Sequence, residues 1–303
     1  MSNELSYLLA QAAKGRMNRR DFVGRAGALG VSAAVAGTML TTAARAEGPV
    51  KGGMLRVGMQ GGSSTDSLDP ALAASEVPFQ VNETWGEKLV DVELDGKLGM
   101  RLAEEVSSNA DATQWMFKIR QGVEYHDGGT VTAEDVVATL KRHTDDNTKS
   151  GAQGIVKGIT DMKAEGDMVT LTLNSANADL PFLMADYHLI VQKGGGGDNP
   201  TSGIGAGAYK IVSNEPGVRV AFEKFANYWD ASRGHADQAE VLVINDNTAR
   251  TAAIQAGQIH VMNRIDPKIV ELLASNTDVV IERAAGPGHY VFIMRCNIRG
   301  EPS

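Results

Sequence analysis

The sequence predicts an α/β fold, and three observations carry the prediction. Residues Trp115–Arg120 (WMFKIR) alternate apolar and polar side chains, the period of a half-buried strand. Residues 132–143 (TAEDVVATLKRH) open on a threonine cap and set Val136, Val137 and Leu140 on one helical face. Segments of these two kinds interchange from Met54 to Asn297 with no internal repeat.

In chain order, Met54–Gln60 reads as a strand, followed by the loop 61-GGSSTDSLDP-70, dense in turn residues. A helix is expected from Glu76 to about Leu89, and Leu98–Val106 reads as a short helix or irregular chain. After the strand at 115–120, Thr132 caps the next helix. Asp135, three residues on, returns the bond, a variant of the capping box. Residues 159–173 read as a hairpin turning at Glu165-Gly166-Asp167. A short helix around Asp179–Ala185 and a strand at His188–Gln192 come next. The run 193-KGGGGDNPTSGIGAG-207 reads as a flexible loop and a subdomain boundary. Strands follow at Ala208–Ser213, Val218–Lys224 and Glu240–Ile244. A helix covers about Thr248–Ala256, and another starts at Pro267 and runs to about Ala274. Strands at Val279–Arg283 and His289–Asn297 complete the reading.

The first 46 residues differ from the rest. Of 29 basic and 37 acidic residues they hold six and two, which leaves a body of net charge −12. So acidic a body excludes nucleic acid as a partner, because phosphate contacts need clustered Lys and Arg. It also offers no polybasic face to anionic lipid. The segment holds a twin arginine, Arg19–Arg20, then an uncharged Ala- and Gly-rich run from Ala26 to Ala44. It ends in Ala44-Arg45-Ala46, an A-x-A cleavage site before Glu47. This resembles a twin-arginine export signal, and the weak hydrophobicity of the run fits that route. The expectation is a signal peptide over 1–46, a mature chain of 257 residues from Glu47 to Ser303, and a soluble protein of the periplasm. No cysteine stands near the cleavage site to carry a lipid anchor. The single cysteine, Cys296, excludes an intrachain disulfide and a thiolate zinc cage, and within 290-YVFIMRC-296 it reads as a small buried hydrophobe.

The stretch 121-QGVEYHDGGTVTAEDVVATLKRH-143 gathers His126, Asp127, Glu134, Asp135 and His143, and poses the question of catalysis. Adjacent residues of a strand point to opposite faces, so His126 and Asp127 do not aim at one proton. Glu134 and Asp135 in a first helical turn complement the helix dipole. His126 and His143 lack the i, i+4 spacing of a helical metal site. The six histidines show no close metal spacing, and the sequence holds no phosphate-binding G-x-x-x-x-G-K-[ST] loop and no G-x-S-x-G elbow. The run 203-GIGAG-207 precedes a strand where a dinucleotide loop precedes a helix. The stretch therefore reads as framework. The expectation is a protein that is not an enzyme, with no metal and no cofactor; an exported hydrolase or metal enzyme is the weakest alternative.

The informative feature is an ordered set of short motifs. It runs Leu68-Asp69-Pro70, Glu87–Val90, Trp115–Arg120, Gly122–Gly128, Thr132–Val136, 205-GAGAYK-210, 227-NYWD-230, 248-TAR-250 and 254-IQAGQI-259. In this order and spacing the set resembles the extracytoplasmic solute-binding proteins of family 5, which serve ABC importers for dipeptides, oligopeptides, nickel chelates, haem and opines. The resemblance covers nearly all of Glu47–Cys296. It departs at Ala208, where the family has proline, and in length, since processed family members are about twice as long. It implies the first lobe of a type II, clam-shell periplasmic binding fold. A core formed by 47–70 and 203–303 would end at the hinge strand, with 71–202 as an inserted α+β subdomain of the mixed sheet and its flanking helices. The second lobe is expected to be absent. Such binders close two lobes around the solute, so one lobe with an open face is expected to bind weakly or not at all, and to be poorly stable.

The resemblance places solute at the lobe interface, which points to Ser63, Ser64 and Thr65, and then to Trp85, Tyr187 and His188. The implied function is capture of peptides or related small solutes for delivery to an ABC permease and its ATPase, with only peripheral contact at the inner membrane. The alternative is a truncated remnant that transports nothing and at most acts as an interaction fragment.

Overall fold

The computed structural model describes residues 3–13, 16–47, 49–145, 149–197, 199–276 and 278–282. The strand expected at His289–Asn297, with Cys296, lies outside them. Three helices come first: α1 (Asn3–Ala13), α2 (Arg19–Ala28) and α3 (Ala33–Glu47). Asn18 caps α2 by accepting the Asp21 N–H at 2.8 Å. Leu5, Leu8, Phe22, Ala26 and Ala36 cluster between the helices. The uncharged run Ala26–Ala44 is thus divided between α2 and α3. Among the described residues no helix is long and apolar enough to cross a membrane.

The body then runs β1 (Met54–Met59), α4 (Glu76–Trp85), β2 (Val90–Val92), β3 (Leu98–Met100), β4 (Ala103–Ser108), β5 (Gln114–Ile119), α5 (Ala133–Arg142) and α6 (Gln153–Val156). It continues with β6 (Ile159–Glu165), β7 (Met168–Leu173), α7 (Leu180–Leu183), β8 (Tyr209–Glu215), β9 (Arg219–Lys224), β10 (Gln238–Val243), α8 (Asn247–Gln255), β11 (Val261–Met262) and α9 (Val270–Ala274).

One sheet has five strands in the order β11-β1-β10-β9-β8. β1 pairs parallel with β10 and β11, with Val57 opposite both Val241 and Val261, while β9 is antiparallel to β10 and β8. Because side chains alternate along each strand, one face gathers Val57, Met59, Val220, Phe222, Val241 and Val243. α4 covers this face with Val77, Val81 and Trp85, spaced by four along the helix and each at most 3% exposed. Burying side chains of this size contributes roughly 1.5–3 kcal/mol each. The opposite face carries a charged ladder, in which Glu240 takes Arg56 at 3.3 Å and Arg219 at 3.2 Å.

The second sheet is antiparallel with the order β4-β5-β7-β6. Phe117, Ile119, Val169 and Leu171 meet Val136 and Leu140 of α5 in one core. α5 starts on a complete capping box: Thr132 Oγ1 accepts the Asp135 N–H at 3.2 Å, and Asp135 Oδ2 accepts the Thr132 N–H at 3.0 Å. A bidentate ion pair ties the two sheets' surroundings together. Arg101 donates to Glu87 at 2.8 and 3.2 Å, and also to Asp230 at 3.0 Å and Tyr228 Oη at 2.6 Å. Burial opposes the charge on Arg101, but Glu87 and Asp230 outweigh it and raise the guanidinium pKa above its ordinary value. The guanidinium groups of Arg101 and Arg120 lie 4.9 and 4.3 Å from the centre of the Trp229 ring.

The structure corrects several sequence expectations. Leu98–Val106 is neither helical nor irregular: it forms β3 and most of β4, which pair with β2 and β5. Its Glu104 and Glu105 favour a helix by propensity, but the alternating partner strand β5 decides the outcome. The helix from Glu76 stops at Trp85, short of Leu89, at Gly86. His188–Gln192 joins no ladder: His188 lies in a turn, and the buried residues after it run irregularly, with the Val191 N–H given to Glu87 O at 2.9 Å. Residues 279–282 likewise belong to no strand. The glycine run 194–197 packs against α5: Gly194 N–H reaches Asp135 Oδ1 at 2.7 Å.

Candidate functional site

Open α/β sheets bind ligands beyond the carboxyl ends of their parallel strands. Here β1, β10 and β11 end side by side, and each runs into polar chain: Gln60–Gly62, Asn245–Asp246 and Asn263–Arg264. The three segments hold one another. Asn263 Oδ1 accepts the Gln60 N–H at 3.0 Å, and its Nδ2 donates to Glu76 Oε2 at 2.5 Å. Asn245 Oδ1 accepts the Gly61 N–H at 2.9 Å and its Nδ2 returns a bond to Gly62 O at 2.9 Å.

Arg250 on α8 is the centre of this arrangement. It is fully buried, yet its guanidinium donates to Ile244 O at 2.6 Å, Asn247 Oδ1 at 2.6 Å, Gln60 Oε1 at 3.0 Å and Asn263 O at 3.3 Å. Burial lowers its pKa from the usual arginine value, but a network of carbonyl oxygens suits a guanidinium that stays charged. One side chain thereby fixes the ends of all three parallel strands. α8 is held in turn by Asp246, whose Oδ1 caps it through the Ala249 N–H at 2.7 Å.

Ser63, Ser64 and Thr65 lie on the exposed loop beside these strand ends. The loop is shaped by Asp66, whose Oδ2 accepts the Ser63 N–H at 2.9 Å, and by a 3.0 Å contact between the Ser63 and Thr65 hydroxyls. Gly217, in the β8–β9 turn, presses against it: a Cβ there would lie 2.6 Å from Ser64 N. Behind the loop lies a small apolar cleft lined by Leu68, Val77, Val81, Pro216, Val220 and Val243, among others. Asp69 anchors the far end of the loop by accepting the Ala71 N–H at 2.9 Å and pairing with Arg142 of α5.

Trp85 stands apart from this edge. It is 0% exposed in the core beneath the sheet, and the 205-GAGAYK-210 segment is built to lie on it: a Cβ on Gly205 would meet the Trp85 carbonyl oxygen at 2.5 Å and its ring at 2.6 Å. Tyr187 is partly exposed and stacks on Phe79 of α4, with ring centres 3.7 Å apart and planes at 29°. His188 is buried, with both ring nitrogens facing oxygen: Nδ1 lies 2.6 Å from Asp186 Oδ1 and Nε2 lies 2.8 Å from Ala73 O. Trp85 and His188 therefore serve the scaffold in this structure, while Ser63–Thr65 and Tyr187 present atoms to solvent.

The histidines of the opening stretch also have framework positions. His126 Nε2 lies 3.0 Å from Gly207 O, and burial lowers its pKa. His143 is fully buried with Nδ1 2.6 Å from Ser150 Oγ, and burial pushes its pKa down to about 4. This Ser–His contact resembles a nucleophile and base, but both side chains are buried in the scaffold. Among the described residues no group of three or more His, Cys, Asp or Glu is placed to hold a metal ion.

Comparison with known proteins gives the class. Residues 97–302 match the bacterial extracellular solute-binding proteins, family 5, in the part described as its middle. The chain belongs to this family. It is 27% identical over 229 residues to the glutathione-binding protein GsiB of Pectobacterium atrosepticum, covering 73% of this chain and 44% of that protein. It is 30% identical over 194 residues to the probable peptide-binding protein YejA of Agrobacterium fabrum, covering 59% and 31%. Among solved structures it resembles AgaA of A. tumefaciens R10, in complex with agropinic acid, with a TM-score of 0.69 and 25% identity over 74% of this chain and 46% of that one. The Bacillus subtilis oligopeptide-binding protein AppA, in complex with a nonapeptide, shares the fold with a TM-score of 0.66, at 21% identity over 74% and 46%. The chain spans less than half the length of these relatives, and its α/β fold is that of a single lobe of a periplasmic binding protein.

Proposed function

We propose that this chain supplies a solute-binding lobe of an ABC importer for peptides or related small solutes, capturing solute outside the cytoplasm for delivery to the permease and its ATPase. The observation that carries the reading is the family match over residues 97–302. The names of the relatives support the solute class, since they bind glutathione and peptides. On this reading solute rests against the strand ends, at Ser63, Ser64 and Thr65, with Tyr187 at the rim. Trp85 and His188 support that surface from below. The residues 47–70 and 203–303 form the core and 71–202 the inserted subdomain, with α4 packed on the core sheet. The twin arginine Arg19–Arg20 directs export, cleavage after Ala46 releases the chain to the periplasm, and contact with the membrane is confined to the permease.

An open lobe binds weakly, so the test is an NMR titration of the full chain in the millimolar range with glutathione and with defined di- to pentapeptides. Saturable shifts from one solute class are expected. Their absence with every solute would refute solute binding by this chain and favour a non-transporting fragment.

A further inference from the structure

The strand-end surface holds two arginines of opposite character. Arg250 is buried and its donors are directed to carbonyl and amide oxygens. Arg264, immediately after β11, is 60% exposed and pairs with Glu76, which is 29% exposed. Its backbone is unusual as well. Arg264 has φ +48°, the left-handed region that glycine and asparagine enter most easily. In that conformation its carbonyl reaches Arg250 Nη2 at 3.4 Å. A backbone outlier of this kind at a ligand-facing edge is a reason to ask what the residue does.

The neighbouring carboxylates are engaged otherwise. Asp66 takes the Ser63 N–H at 2.9 Å, Asp246 the Ala249 N–H at 2.7 Å, and Asp266 the Lys268 N–H at 2.9 Å. Glu76 alone among these four faces Arg264, and it is also held by Asn263 Nδ2 at 2.5 Å. An exposed ion pair of this kind contributes little by itself. A guanidinium that exchanges one carboxylate for another keeps its charge-assisted hydrogen bonds. An incoming carboxylate therefore replaces Glu76 at small cost, while Asn263 continues to hold Glu76 in place.

We infer that Arg264 is a specificity-determining residue that receives a carboxylate of the solute, and that Glu76 occupies it in the solute-free lobe. The inference rests on the reading of this chain as a peptide-binding lobe and names the chemistry that reading leaves open. The carboxylate comes either from a peptide C-terminus or from an acidic side chain.

The test titrates the full chain by NMR with three probes: Ala-Ala-Ala as the free acid, Ala-Ala-Ala amide, and Ala-Glu-Ala amide. The free acid is expected to bind about tenfold more tightly than its amide. Ala-Glu-Ala amide regains the difference if a side-chain carboxylate serves and does not if the C-terminus is required. Arg264→Gln is expected to abolish the preference for the carboxylate, with the amide binding as before. Glu76→Gln is expected to strengthen binding of the acid, because the competing carboxylate is gone; a purely structural pair would not show this. Equal binding of acid and both amides, or a preference that survives in Arg264→Gln, overturns the assignment while peptide binding stands. No binding of any of the three overturns the peptide reading and the assignment together.

Discussion

Replacing Arg101 by methionine removes one partner of a pair whose other member cannot leave the core. Glu87 is 6% exposed and takes two bonds from Arg101. After the change it keeps the Tyr228 hydroxyl, at 2.8 Å, as a side-chain donor. Asp230 loses a bond too, but its position near solvent lets water replace it. Breaking a buried pair on one side costs about 3–5 kcal/mol, whereas replacing both members by apolar side chains costs far less. Arg101→Met is therefore expected to lower Tm by roughly 6–20 °C, at about 2–4 °C per kcal/mol for a body of this size. The double variant Glu87→Leu/Arg101→Met is expected to recover more than half of that loss. Urea and thermal unfolding of the four proteins in the cycle supply the coupling energy. A single variant as stable as the parent, or a double variant worse than the single, would refute the view that the cost arises from an unpaired buried carboxylate.

Three further outcomes are expected. His143 has a folded-state pKa of about 4 against an ordinary value of about 6.5, so below that ordinary value the unfolded chain binds a proton that the folded chain refuses. Stability from this residue is complete above pH ~6.5 and falls by about 3 kcal/mol as the pH drops toward 4; urea midpoints at pH 7 and 5 should converge in His143→Gln. Gly205→Ala drives a methyl group to 2.5 Å from the Trp85 carbonyl oxygen, and overpacking of this sort costs about 1–3 kcal/mol, measurable as a lower urea midpoint with Trp85 fluorescence shifted to the red. Replacing Arg19 and Arg20 together by lysine is expected to leave the chain in the cytoplasm of a host with the twin-arginine route; cell fractionation that still finds it outside would remove the twin-arginine assignment.

Local features were legible in the sequence wherever short-range chemistry decides. The Thr132–Asp135 box and the apolar face of α5 are set within a dozen residues, and both appear as read. The alternation in Trp115–Arg120 likewise fixes β5. Leu98–Val106 was not legible, because its strand character comes from pairing with β2 and β5, not from its own composition. The strand-end surface was hidden for a related reason. Gln60, Asn245, Arg250 and Asn263 lie up to about 200 residues apart, and only the parallel pairing of β1 with β10 and β11 brings them together. The 248-TAR-250 motif was visible, but nothing in it shows that Arg250 reaches three loops. The family resemblance points to Trp85 and His188 as solute contacts, because it places solute at the lobe interface. Their burial follows from α4 lying on the sheet and from Asp186 and Ala73 enclosing the imidazole, neither of which a linear pattern expresses.

On the proposed function, solute meets this lobe at the ends of β1, β10 and β11. Backbone amide shifts of the full chain, followed during titration with a short unblocked peptide, test it most directly. Shifts are expected to concentrate in Gln60–Thr65, Asn245 and Asn263–Arg264, with weaker ones near Tyr187. Shifts centred instead on the cleft beside the amino-terminal half of β1, lined by Leu55, Val57, Arg101, Tyr209, Phe222 and Tyr228 among others, would contradict it.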